Sequence, residues 1–137
     1  MGRVIVDFEL SNYNDIVLVE QGFLTPDKIR KVTMKGVIDT GAARLVLPGK
    51  VHELLGLPVT GHSVVRYADH RREQRDTVSN AFVRLEGRGG MFNAIIEPSR
   101  SDALLGAIVM EDLDLVVDCS GQKVHPRDPD TIITEVE

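Results

Sequence analysis

The chain has 137 residues, 42% of them apolar, a length that holds one domain with a substantial core and excludes a two-domain architecture. Sixteen Lys and Arg against 21 Asp and Glu leave a net charge of -5, which opposes unspecific attraction to phosphate backbones and anionic lipid, so neither nucleic acid nor membrane is an expected partner. The single cysteine, Cys119, excludes an intrachain disulfide and fits a reducing, cytoplasmic setting.

At the N-terminus, Asp7 and Glu9 interrupt the apolar stretch a secretory signal needs, and Val6 stands where a myristoylation signal opening on Met1-Gly2 carries Ser or Thr. From Arg3 to Leu10 the residues Val4, Val6, Phe8 and Leu10 fall on one face of a period-two pattern, which predicts a strand. Ser11 to Asp15 is a turn cluster, and Ile16 to Glu20 resumes a β-rich run, so a hairpin is expected there. A strand from about Ile29 to Ile38, with Gly36 as a candidate bulge, ends at Asp39-Thr40-Gly41-Ala42 before Leu45-Val46-Leu47 restarts the apolar pattern.

Pro48 and Gly49 open a short helix with Val51, Leu54 and Leu55 on one face, closed by Gly56 and Pro58. His62 to Tyr67 and Thr77 to Leu85 read as strands, and the charged segment Ala68 to Asp76 between them reads as a solvent-facing hairpin tip. Gly87-Arg88-Gly89-Gly90 turns into a strand over Met91 to Ile96, followed by a loop from Pro98 to Asp102 and then Ala103-Leu104-Leu105-Gly106. Ile108 to Leu113 suits a second short helix, Leu115-Val116-Val117 a buried strand, and the tail 126–137 turns β-like at Thr131 to Thr134. Roughly eight short strands and two small helices predict a mainly antiparallel β domain closed on itself. Strand, Gly-Ala and helix recur at Gly41-Ala42 and Gly106-Ala107, as a duplicated half or as the ordinary repetition of a β-rich chain.

Most polar residues form no recognisable site. His52, His62, His70 and His125 match no zinc spacing, no serine lies in a G-x-S-x-G turn, and Gly87 to Gly90 is neither a dinucleotide fingerprint nor a phosphate loop, so no metal and no cofactor are expected. What stands out is Val37-Ile38-Asp39-Thr40-Gly41-Ala42, an acid at the end of an apolar strand, where a carboxylate needs a use or a partner. The plain alternative is a turn whose Asp39 carboxylate bonds nearby N–H groups.

Asp39-Thr40-Gly41-Ala42 after two apolar residues, with Leu104-Leu105-Gly106 before a predicted helix, resembles the retropepsin-like aspartic peptidases over about residues 3–125. The resemblance implies a closed acid-protease barrel with one or two short helices, forming one half of a twofold homodimer, and an endopeptidase acting on peptide or protein substrates. By the same resemblance Asp39, Thr40 and Gly41 are the catalytic loop, and Ala42, Ala43, Arg44, Tyr67, Ala68, Asp69 and Leu105 contact substrate, with the hairpin at Ala68 to Arg71 as a flap. One chain supplies one such loop, so two copies across a twofold axis complete the carboxyl pair. Retroviral members carry an Asp–Arg brace where this chain has Ala43 and Ala107, and losing both partners together leaves no stranded charge. The charged hairpin either selects acidic peptides or is simply solvated. A module on the same fold that binds peptide or dimerises without catalysis is the competing functional expectation.

Overall fold

In a computed structural model, which describes residues 3–137, six strands close into a barrel. Strand β1 (Ile5–Asn12) runs antiparallel to β2 (Lys31–Ile38), which lies parallel to β7 (Ala103–Leu105). Next to β7 comes β3 (Leu45–Pro48), antiparallel to it and parallel to β6 (Arg88–Glu97). The long β5 (Arg72–Leu85) pairs with β6 and returns to β1, closing the ring. The mainly β, closed architecture expected from the alternating apolar pattern is therefore present.

Side chains on the inner face explain the closure. Phe8 and Leu10 of β1, Leu45 and Leu47 of β3, Val83 of β5, Ala94 of β6 and Leu105 of β7 are all buried in one cluster. Apart from the small Ala94, each of these residues contributes about 1.5–3 kcal/mol relative to exposure. Gly36 is no bulge: it pairs in register with Val6 and Ala103, and a Cβ there would meet Phe8 at 3.0 Å and Leu105 at 3.1 Å. The glycine admits two large core side chains.

The expected hairpin at Ser11 to Glu20 is instead the end of β1 followed by helix α1 (Tyr13–Glu20). The Asn12 side chain caps α1 by accepting from the Asp15 N–H at 3.0 Å, and this cap outweighs the strand preference of Ile16, Val17 and Val19. Asp15 then binds Arg30 through its backbone N–H, Nε and Nη2, each at 2.9 Å. Helix α2 (Val51–Leu55) ends on Gly56 at φ 67, as its Gly-Pro stop predicts.

Strand β4 (Val59–Arg66) pairs with β5 alone, and β5 meets β6 only from Thr77 onward. Residues 62–76 therefore form a two-stranded arm standing off the barrel, longer than the expected tip and turning at 67–71. A bulge between Val78 and Ala81, with Asn80 at φ 66, bends β5 where arm meets barrel. Gly89 and Gly90, expected in a turn, lie within β6, and the reversal falls at Glu86-Gly87.

Helix α3 (Ala107–Asp112) follows Gly106 directly, whereas β3 intervenes between Gly41 and α2, so the two Gly-Ala steps are not equivalent. Beyond α3, β8 (Leu115–Asp118) pairs with β9 (Lys123–Pro126), a strand the sequence did not disclose. Thr131 to Thr134 form no strand. The tail is held instead at Asp114, whose carboxylate accepts from Arg127 Nε at 2.7 Å and from the Ile133 N–H at 3.0 Å. Among the described residues no helix is long and apolar enough to cross a membrane. Met1 and Gly2, the opening of the lipidation motif considered above, lie outside them.

Candidate active site

The loop from Asp39 to Arg44 leaves the end of β2 and enters β3 between β7 and the start of α3. Main-chain bonds fix both of its ends. The Ile38 N–H donates to the Val4 carbonyl at 2.9 Å and the Asp39 N–H to the Leu105 carbonyl at 3.1 Å. The Ala107 N–H donates to the Ala42 carbonyl at 2.8 Å, and the Ile108 N–H to the Ala43 carbonyl at 3.0 Å. These two bonds satisfy the first donors of α3, which has no side-chain cap, with carbonyls of the loop. They also join Ala43 and Ala107, the positions without the Asp–Arg brace, through the backbone of their neighbours.

Gly106 makes the close approach possible. A Cβ on it would lie 2.7 Å from the Ala42 carbonyl oxygen and 2.8 Å from the Arg44 nitrogen. The Leu104-Leu105-Gly106 run thus has a local reason: one leucine in the core, one outside, and a glycine that lets the acidic loop lie flat against the helix start.

Within the loop the Gly41 N–H donates to Asp39 Oδ1 at 3.0 Å, and the Ala42 N–H closes a turn onto the Asp39 carbonyl at 3.1 Å. The turn geometry given above as the plain alternative is therefore formed, which leaves Asp39 Oδ2 free of that bond. Asp39, Thr40 and Gly41 are exposed, so the carboxylate is accessible rather than buried at the strand end. A side chain at Gly41 would place its Cβ 3.2 Å from Asp39 Oδ1, against the bond that orients the acid.

A groove of about 800 Å³ opens beside the loop. Val46, Ile95 and Leu104 give it apolar surface, and its lining includes Asp39, Gly41, Ala42, Ala43 and Arg44. The arm adds Val65, Arg66, Tyr67 and Ala68 to the lining. Most of the residues singled out by sequence thus meet in one place. Three do not line it: Thr40 faces a smaller cleft of about 400 Å³ with Asp39, Arg100 and Cys119. Asp69 turns back to accept the Arg71 N–H at 3.0 Å in the arm tip. Leu105, expected to contact substrate, is fully buried in the core, and it is Leu104 that faces the groove, because residues alternate sides along β7.

The sequence singled out neither Glu97 nor Arg100, and Arg75 only as one charge of the hairpin. Glu97 ends β6, is 8% exposed, and lines the groove. Its Oε1 accepts from Arg75 Nε at 3.1 Å and its Oε2 from the Tyr67 hydroxyl. Burial, with the Glu97 carboxylate beside it, pushes the Tyr67 phenol above its usual value, so it remains a donor at any ordinary pH. The Arg71 guanidinium covers the outer face of the same ring, 4.4 Å from its centroid. Glu97 carries the signal that singled out Asp39, an acid closing an apolar strand. Its partners, 22 and 30 residues away, are not visible locally.

Among the described residues no three His, Cys, Asp or Glu side chains gather to hold a metal ion. No protein-family model matches the chain, and no curated protein matches it.

Proposed function

We propose that this chain is an aspartic endopeptidase of retropepsin-like type, in which Asp39 residues from two copies form one catalytic carboxyl pair. The observation that carries this reading is the Asp39 loop itself: an exposed carboxylate, oriented by the Gly41 N–H and clamped by main-chain bonds to β7 and α3, at the edge of a groove of about 800 Å³.

Hydrolysis needs one ionised and one protonated carboxyl. The other carboxylate in the groove, Glu97, is ion-paired with Arg75 and accepts from Tyr67, so it is not free to share a proton with Asp39. A second copy supplies the missing acid, and the exposure of Asp39 and Thr40 leaves them open to one. Two such carboxyls a few Å apart cannot both ionise, and the pair retains one proton.

In the reaction, the ionised Asp39 takes a proton from water as the water oxygen bonds to the peptide carbonyl carbon, and the protonated Asp39 of the other copy gives its proton to the carbonyl oxygen. The resulting gem-diol collapses: the C–N bond breaks as the nitrogen takes the proton that came from water, one gem-diol hydroxyl gives its proton back to the ionised Asp39 of the other copy, and a carboxylic acid and an amine are released with the pair again holding one proton. Thr40 holds the two loops together across the axis, and small Ala42 leaves room for the chain. The arm closes over the substrate as a flap, while strand-like main-chain bonds hold the peptide extended.

The test is cleavage of a diverse peptide library by wild type and Asp39→Asn between about pH 3 and 7, with a statine-type inhibitor as control. A bell-shaped profile for wild type and no cleavage by the variant are expected. Equal cleavage by both proteins overturns the proposal.

A further inference from the structure

The charges of the groove do not balance. Arg44 at the loop exit, Arg66 on the arm and Arg100 after β6 all line it. None of the three forms an ion pair among the described residues. Arg100 donates only its Nε, to the Asp102 carbonyl at 3.0 Å, and its guanidinium stays charged. Glu97 offers no counter-charge because Arg75, which is outside the lining, already neutralises it. Among the described residues Asp39 is then the one lining carboxylate without an ion-pair partner, against three such cations, in a chain whose net charge is -5. The positive lining is a local feature set against the overall charge of the molecule.

We infer that the groove is specific for acidic peptide segments, with Arg44, Arg66 and Arg100 receiving Asp or Glu side chains that flank the scissile bond. This deepens the peptidase function proposed above and rests on it for the word substrate, though not for binding. Arginine suits the task because its planar guanidinium meets a carboxylate through two parallel N–H bonds. The three positions come from separate segments, so a single extended peptide with acids on both sides of the scissile bond can engage more than one. Two copies double the arginines, whereas the shared proton leaves one negative charge on the Asp39 pair. Two other arginines of the arm contribute differently: Arg71 lies over Tyr67 and Arg75 is bound to Glu97, and neither is in the lining.

Binding and cleavage separate this inference from the proposal beneath it. Matched peptides carrying Glu, Gln or Lys at the flanking positions are titrated against Asp39→Asn by fluorescence anisotropy and offered to wild type for cleavage. Each Glu is expected to tighten binding by about threefold over Gln, Lys to weaken it, and the preference to shrink as salt is raised. Arg44→Gln, Arg66→Gln and Arg100→Gln each reduce the preference for Glu, and Arg→Lys at the same positions restores part of it. Acidic preference in binding without any cleavage supports the inference and removes the peptidase proposal. Cleavage with no discrimination between Glu and Gln, or equal binding of the two by Asp39→Asn, overturns the inference and leaves the peptidase proposal standing.

Discussion

Gly106 lies so close to Ala42 that a Cβ on the glycine would sit 2.7 Å from the Ala42 carbonyl oxygen, and nearer still to that of Arg44. The loop that carries Asp39 is thereby pressed against the start of α3, whose Ala107 N–H it receives. Gly106→Ala must push loop and helix apart. A loss of about 1–3 kcal/mol in unfolding free energy by denaturant titration is expected, of the size of other overpacked sites. An unchanged midpoint would show that the contact yields freely.

Tyr67 and Glu97 tie the arm to the end of β6. Tyr67→Phe keeps the ring under Arg71 but removes a donor from a buried carboxylate that Arg75 alone then serves. Stability should fall by about 1 kcal/mol. Amide exchange should accelerate along 62–76 more than in the barrel. Exchange that is uniform across both would contradict the anchoring role.

Acid should destabilise the fold through three depressed carboxyls. The Arg30 side chain, bonded to Asp15, holds that carboxyl below its ordinary value despite burial. Asp114 is lowered first by the Ile133 N–H, and Asp118 first by the Gly121 N–H. A group with a depressed folded-state pKa stabilises the fold fully above its unfolded value, about 4, and loses that contribution as pH falls through the folded one. Unfolding free energy should therefore fall only below about pH 4 on account of these groups. Asp15→Asn should flatten part of that fall and cost about 2 kcal/mol near neutral pH, because Arg30 loses a charged acceptor while remaining half-exposed. A slope unchanged by the substitution would rule out Asp15 as a source.

Apolar alternation made β1, β3 and β6 readable, and the Gly and Pro stops gave α2 and the loops around α3. The Asp39 loop was legible for the same reason, as a break between two buried runs. Helix α1 was not, because Ile16, Val17 and Val19 favour strands, and only the Asn12 and Asp15 pair three residues apart marked the cap. The arm looked shorter than it is since a two-stranded ribbon in solvent needs no apolar face, and Arg72, Gln74 and Asp76 alternate with half-buried Glu73 and Arg75 instead. Leu104 and Leu105 share one composition but opposite faces, which required the pairing with β2 and β3 to resolve. The Tyr67, Glu97 and Arg75 cluster joins three segments through the fold and has no local signature.

The shared carboxyl pair is tested most directly by mixing. Wild type is held at fixed concentration while Asp39→Asn is added and the subunits are allowed to exchange. At equal amounts about one quarter of the dimers contain two intact Asp39 residues, so about half of the wild-type activity should be lost, and more as the variant increases. Activity that stays constant however much Asp39→Asn is added would mean that each chain works alone, contrary to the account.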